Sequence, residues 1–465
     1  MDKLSPAQYT ALIVIIGSIG GLLFGYDTAV ISGAVSYFSE HFSLSPAMVG
    51  WGVSSALVGC IIGAYTSSFI SSRYGRRKTL ALSAFLFALS AIGSAYPETF
   101  SQLVLFRIVG GLGMGLASMV VPVYLSEISP TSKRGIFGTF YQIMITFGIL
   151  CTYLINFVIA QGATHEWLVN DGWRYMFLGE VVPAILLLVA SFFIPESPRW
   201  LVMKGDEKQA KKILLNINGE SEAKDVFQEI KADIAISHDS REGIFKSGLG
   251  KILFIAVALA MLSQATGINV IIYYATVLLN SIGTSDGGPS IWSSVFFQNV
   301  LIGVTVFVSA FFPIFTVERW GRRPLMIWGS LGVAVTIITV GLALFFGQTG
   351  IWLLAVLLVY LAIFGATLGP LPWILMSEIC PNSHRNKIVA ISTLLFWFAN
   401  VIVAQTFPMM NDSVMLKEIF KGSFPFFVYG GFSLALAYVC HRYLPETKGK
   451  SIEQVYQNLL PGKIS

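Results

Sequence analysis

Three ionisable side chains fall inside long apolar stretches of the chain: Asp27, Arg107 and Glu180. A charge in hydrocarbon is costly, so each is expected to pair with another or to face a water-filled cavity. Two carboxylates opposite one guanidinium carry a net negative charge when fully ionised, and a poor dielectric then invites one proton. The chemistry open to such a group is reversible protonation; a static ion pair that only orders helices is the alternative. Uncharged polar groups lie in the same kind of stretch: Gln142, Ser263 with Gln264, Asn269 and Asn400. An amide in lipid is expensive unless it bonds across helices or lines a cavity that takes a polar ligand. Gly267 stands between Gln264 and Asn269, with Tyr273-Tyr274 beyond, which suits a hinged helix. Trp373 follows Gly369-Pro370-Leu371-Pro372, a string that breaks a helix and opens its backbone to a cavity.

The elements that position these residues must be membrane helices. The 465 residues are 55% hydrophobic and only 12% charged, at a mean hydropathy of +0.72. A soluble domain carries roughly twice that charge fraction. Apolar segments long enough to cross a bilayer fall at roughly 9–38, 48–70, 79–96, 100–125, 136–160 and 173–194. They resume at roughly 251–280, 291–317, 325–346, 351–376, 388–410 and 422–444. The fold class is therefore an all-α membrane protein of twelve spans, six plus six. Lys and Arg gather in one set of alternate connections, at Arg73, Arg76, Arg77 and Lys78, at Lys133 and Arg134, at Arg319, Arg322 and Arg323, and at Arg385 and Lys387. Only Lys417 and Lys421 break the pattern, and the positive-inside rule puts both termini in the cytoplasm. Span 1 then runs outward with Asp27 roughly 16 Å from its outer end, while Arg107 and Glu180 lie roughly 10 Å deep in spans 4 and 6. All three fall in the outer half of the first six spans.

The chain also repeats itself. Arg73-Tyr74-Gly75-Arg76-Arg77 returns as Arg319-Trp320-Gly321-Arg322-Arg323, Glu127-Ile128-Ser129-Pro130 as Glu378-Ile379-Cys380-Pro381, and Pro195-Glu196-Ser197 as Pro445-Glu446-Thr447. Three motifs in one order, each roughly 250 residues apart, mark two related halves, and such halves in a membrane protein place a transport site at their interface. The domains expected are an N-terminal bundle over 1–194, a cytoplasmic linker over 195–250, a C-terminal bundle over 251–444 and a tail over 445–465. In the linker, Asp206 caps a helix carrying Ala210, Ile213, Leu214 and Ile217, and Ser221 starts a second with Val226, Ile230 and Ile234. A packed linker and a regulatory partner site are both open to it.

Several strings resemble the sugar porter family of the major facilitator superfamily, over essentially the whole chain. They are Gly20-Gly21-Leu22-Leu23-Phe24-Gly25-Tyr26-Asp27, the two Gly-Arg-Arg loops, Pro122-Val123-Tyr124-Leu125-Ser126-Glu127-Ile128, and Pro195-Glu196-Ser197-Pro198-Arg199-Trp200-Leu201. Gln264-Ala265-Thr266-Gly267-Ile268-Asn269 and Pro445-Glu446-Thr447-Lys448-Gly449 complete the set. The stretch from Gly162 to Phe177 is most similar to bacterial proton symporters for arabinose, xylose and galactose. The resemblance implies the major facilitator fold and a proton-coupling role for Asp27 with Arg107; Glu180 is added to that group by its depth in span 6. It further implies sugar contacts at Gln142, Gln264, Asn269 and Trp373, with Ser263 and Tyr273 beside them. For Phe24, Trp397 and Asn400, packing and binding both stay open. Sugars need polar groups for their hydroxyls and a flat apolar face for the ring, which amides and tryptophan supply. The chain departs from the family pattern at Ser263, where many members have a second glutamine, and at Val306 and Phe396, positions that are often polar in glucose and xylose carriers. It departs also at Ile149, a glutamine in one xylose carrier type, and at Ser72, where the first Gly-Arg-Arg loop usually has Asp.

The expected function is proton-coupled symport of a monosaccharide, such as arabinose, xylose or galactose, by alternating access. A facilitated uniporter and a membrane sugar sensor are the alternatives. Arg73, Arg76, Arg77, Arg134, Arg319, Arg322, Arg323 and Arg385 are expected to gate the cytoplasmic face with Glu127 and Glu378, pairing as ions and with carbonyls at helix C-termini. No cofactor and no metal is expected. His41, His165, His238, His384 and His441 all lie near span ends or in loops, and the four cysteines read as packing residues. No phosphate-binding loop with Gly-Lys-Ser/Thr is present. A net charge of +5, scattered between apolar runs, disfavours nucleic acid. The expected partners are a monosaccharide, a proton and the lipid bilayer, and the chain is expected to act as a monomer in the cell membrane.

Overall fold

The structure is a computed structural model that describes residues 5–129, 134–236, 249–283, 291–381, 384–450 and 454–455. Among them, eleven helices are long and apolar enough to cross a membrane, and a bent pair makes a twelfth. Spans 1 to 5 are Pro6–His41, Pro46–Tyr74, Arg76–Ala95, Phe100–Ile128 and Arg134–Ala160. Span 9 is Arg322–Phe345, span 11 Arg385–Asn411 and span 12 Phe424–Tyr443. Span 4 starts where the Thr99 hydroxyl accepts from the Gln102 N–H at 3.3 Å, satisfying one free donor of the first turn. Large apolar side chains such as Val182, Phe192, Trp328 and Val335 stand exposed, as lipid-facing positions must.

The remaining spans are broken, and proline or glycine stands at most of the breaks. Span 6 was expected as one helix over 173–194. It begins at His165, passes through a π-helical turn at Leu168–Gly172, and is interrupted at Gly179-Glu180 before Val181–Ser191. Pro183 cannot donate to the Gly179 carbonyl, which favours that interruption. Span 7 runs as Gly250–Ala265, Ile268–Tyr273 and Ala275–Ser281. Gly267 takes φ 89°, which costs other residues strain, so the hinge read from the sequence is a real break. A second break at Tyr274 was not foreseen. Span 8 bends by 45° between Val295–Ser309 and Phe312–Trp320, next to Pro313. Span 10 stops at Ala366 and resumes over Leu371–Ile379, as the Gly-Pro-Leu-Pro string predicts.

The linker forms a short helix, Pro198–Met203, and a run over Glu207–Ile236 kinked at Gly219 with φ 74°. Asp206 caps the run by accepting from the Gln209 N–H at 3.1 Å. Ala210, Ile213, Leu214 and Ile217 are buried as expected. Beyond the kink the buried stripe is Ala223, Phe227 and Ile230, rotated from the predicted Val226, Ile230 and Ile234, because the kink re-aims the helix.

The chain groups into two compact units. The first holds Met1–Val30, Ser55–Thr152 and Trp173–His238. The second holds Ile31–Ser54, Tyr153–Gly172 and Asp239–Ser465. The C-terminal ends of spans 1 and 5 and the N-terminal end of span 2 therefore group with spans of the second half. Within the second unit, Gln405 of span 11 accepts from the Ser54 hydroxyl and donates to the Ala47 carbonyl, each at 2.9 Å.

Candidate functional site

The first unit brings the three buried charges together. Arg107 Nη1 lies 2.5 Å from Asp27 Oδ1, with side chains 3% and 0% exposed. Glu180 is buried beside them, within electrostatic reach of both. Neither Glu180 oxygen has a hydrogen-bond partner among the described residues, and the same holds for Asp27 Oδ2 and Arg107 Nε. The Arg107 guanidinium also lies 5.6 Å from the centre of the Phe177 ring, and the Tyr26 hydroxyl donates to the Met176 carbonyl at 3.2 Å. These contacts tie spans 1 and 4 to the middle piece of span 6. Two acids therefore face one cation, and three of their four oxygens stay open to a proton or a moving guanidinium.

The predicted polar pocket divides by unit. In the second, Gln264 Oε1 accepts from Asn269 Nδ2 at 2.5 Å across the Gly267 break. Gln264 Nε2 is 3.5 Å from the Ser263 hydroxyl. Asn400 Nδ2 donates to the Tyr273 hydroxyl at 3.2 Å, and its Oδ1 is buried without a partner among the described residues. Trp373 packs its ring 5.0 Å from Phe396, which meets Trp397 edge-on at 5.2 Å. Trp373 stays 38% exposed, whereas Trp397 is buried, so only the former offers an open face. In the first unit Gln142 is exposed and Phe24 half-buried. An exposed amide in the middle of a span is far cheaper facing water than hydrocarbon, so Gln142 marks an aqueous side of span 5.

Broken helices free backbone groups, and tyrosines of the second unit take them up. The Tyr360 hydroxyl donates to the Thr266 carbonyl at 3.0 Å, at the first break of span 7. Pro408 leaves the Ala404 carbonyl of span 11 without its helical donor, and the Tyr274 hydroxyl fills that place at 2.8 Å.

Where span 3 begins beside the end of span 4, and span 9 beside the end of span 10, the two repeats build similar clamps. Arg76 grips Glu127 with two bonds of 2.9 Å, from Nε and Nη2. Arg322 Nη2 reaches Glu318 at 2.6 Å and Glu378 at 3.0 Å. Ser72, where the first repeat lacks the acid, turns its hydroxyl back on the Phe69 carbonyl at 3.0 Å. The other predicted cations do not join these pairs. Arg73 lies over the Tyr74 ring, Arg323 Nη2 donates to the His441 carbonyl, and Arg319 is exposed. Arg385 keeps Nε and Nη2 without partners among the described residues, and the Arg134 side chain lies outside them.

Sequence reasoning missed the acids that close the clamps. Glu196 Oε1 accepts from the backbone N–H of Arg76 at 2.8 Å, of Arg77 at 3.2 Å and of Ser197 at 2.9 Å. Glu446 does the same for Arg322 at 3.1 Å and Arg323 at 3.2 Å. Each carboxylate caps the positive end of span 3 or span 9. Gly75 and Gly321 sit at φ 96° and 85°, and a Cβ on either would run into that carboxylate. The signal was present in the repeated Pro-Glu-Ser/Thr motif. Gln298, Asn299, Asn156 and Gln405 were also passed over, although the mid-span amide criterion selects them.

The sequence profile of the family described as "Sugar (and other) transporter" matches residues 13–459. The chain belongs to that family. The D-xylose-proton symporter of Escherichia coli (strain K12) is 38% identical to the transporter, over 98% of this chain and 96% of that protein. The arabinose-proton symporter of Bacillus subtilis (strain 168) is 36% identical, over 96% of this chain and 94% of the other. Among solved structures, the inward-open xylose transporter XylE from E. coli superposes with a TM-score of 0.85 at 37% identity, covering 96% of this chain and 99% of that one. The fold is that of the major facilitator superfamily.

Proposed function

We propose that the transporter carries a monosaccharide, a pentose or hexose such as xylose, arabinose or galactose, together with a proton into the cell by alternating access. The observation that carries this reading is the buried group of Asp27, Arg107 and Glu180, with two acids on one cation. A carrier that only facilitates diffusion has no use for a titratable cluster in a poor dielectric, where unpaired charge is costly. In the proposed cycle a proton from outside neutralises Asp27. Arg107 then loses its 2.5 Å partner and turns to the open oxygens of Glu180, which loosens the link between spans 1 and 4. Sugar binding to Gln142, Gln264, Asn269, Asn400 and Trp373, with Ser263, Tyr273 and Phe24 around them, stabilises the protonated form. The cycle proceeds when both are bound.

The domain arrangement proposed is two six-helix bundles, 1–194 and 251–444, with a linker over 195–250 and a tail over 445–465. Both termini are cytoplasmic, the membrane is that of the cell, and the chain acts as a monomer. The Arg76–Glu127 and Arg322–Glu378 clamps shape the cytoplasmic gate and do not touch sugar. Labelled-sugar uptake into proteoliposomes tests the whole reading. Accumulation above the outside concentration is expected only with an acidic exterior; equilibration unaffected by a pH gradient would make the protein a uniporter.

A further inference from the structure

The second break of span 7, at Tyr274, separates two groups that a continuous helix would join: the Ile272 carbonyl and the Thr276 N–H. Each has a partner from another span of the second unit. The Tyr153 hydroxyl of span 5 donates to the Ile272 carbonyl at 2.9 Å. The Ser32 hydroxyl of span 1 accepts from the Thr276 N–H at 3.4 Å and lies 3.5 Å from the Thr276 hydroxyl. Asn299 of span 8 completes the group by donating to the Thr276 hydroxyl at 2.8 Å. All of these side chains are buried.

We propose that Ser32 and Tyr153 are positioning residues of the outer gate, which hold span 7 broken by each taking one end of its missing helical hydrogen bond. Spans 1 and 5 come from the first half of the sequence and span 7 from the second, so outward opening must part them. A buried backbone group without a partner is heavily penalised. When Ser32 and Tyr153 withdraw, the freed N–H and carbonyl find their nearest replacement in each other. The helical bond then forms, and the outer end of span 7 straightens. Opening thus exchanges two side-chain bonds for one backbone bond, and neither state strands the Ile272 carbonyl or the Thr276 N–H. That keeps the two states close in free energy, as a gate that swings both ways requires.

Asn156 works against closure. It lies one turn along span 5 from Tyr153, and both of its amide atoms are buried without a hydrogen-bond partner among the described residues. Opening exposes them to water. Removing this amide is therefore expected to act opposite to removing either hydroxyl.

Spin labels at Ser43→Cys and Ser281→Cys, in protein lacking its native cysteines, report the outer separation by electron–electron resonance in nanodiscs without sugar. Tyr153→Phe and Ser32→Ala are each expected to raise the open-to-closed ratio about tenfold, whereas Ser32→Thr keeps the original ratio. Asn156→Leu is expected to lower the ratio by a similar factor. Unchanged distributions in both hydroxyl-deleted variants, or a shift toward closure, overturns the assignment. A purely structural role predicts lower thermal stability with the ratio unmoved. Because no sugar is present, the outcome does not depend on which substrate the protein carries.

Discussion

Gln264→Ala removes an amide that is 5% exposed and that holds Asn269 Nδ2 at 2.5 Å across the Gly267 break. If this pair meets the sugar, the variant loses one hydrogen bond to a hydroxyl and also leaves Asn269 without its orienting partner. A stranded polar group costs about 1–3 kcal/mol, so sugar affinity is expected to fall roughly 5- to 150-fold. Asn269→Ala should fall in the same range, because it leaves the Gln264 oxygen without its donor. The two losses should not add. Once one amide is gone the other is already misplaced, so the double variant is expected to fall short of the summed single effects by about 0.5–3 kcal/mol. Titration calorimetry on detergent-purified protein measures all three affinities, and thermal unfolding checks that the variants remain folded. Wild-type affinity in both single variants would refute the reasoning, since it would place the pocket elsewhere. Strict additivity would show that the two amides act on separate groups.

Other outcomes follow from the same geometry. Asp27→Asn keeps the shape of the charge cluster and removes a titrating acid; sugar exchange should persist while pH-driven accumulation disappears, as counterflow and gradient uptake will report. Arg107→Ala strands two buried carboxylates and should cost about 3–5 kcal/mol of stability, visible as a large drop in thermal unfolding temperature. Arg76→Ala breaks the clamp on Glu127 and should slow transport several-fold while leaving sugar affinity within about twofold, read from uptake rates beside calorimetry. Tyr274→Phe leaves the Ala404 carbonyl without a donor beside Pro408 and should destabilise the protein by about 1–3 kcal/mol in thermal unfolding.

The sequence shows best those features that depend on solvent and on strong local chemistry. Lipid demands long apolar helices, so the spans are readable, and the rarity of charge in lipid singles out Asp27, Arg107 and Glu180. Gly267 and the Gly369-Pro370-Leu371-Pro372 string announced their breaks because glycine and proline act on their own backbone. The break at Tyr274 gave no such signal. It depends on Ser32 and Tyr153, remote in sequence and of types common in any helix. Glu196 and Glu446 were visible as a repeated motif, yet their caps on spans 3 and 9 form only when the end of span 6 or span 12 folds back onto them. Eight arginines were assigned to the gate by position alone. Which of them meets Glu127 or Glu378 depends on side-chain reach, and among the described residues only Arg76 and Arg322 do so.

Coupling of sugar to a proton at Asp27 is measured most directly on the proton itself. Purified protein is reconstituted in vesicles at equal pH on both sides, with a pH dye in the weakly buffered external solution and potassium-valinomycin to clamp the voltage. Adding xylose, arabinose or galactose outside should make that solution alkaline at the rate of sugar entry, with about one proton per sugar, and Asp27→Asn should abolish the signal while sugar still exchanges. Sugar entry at the full rate with no pH change, or an unchanged proton signal in Asp27→Asn, would contradict the account.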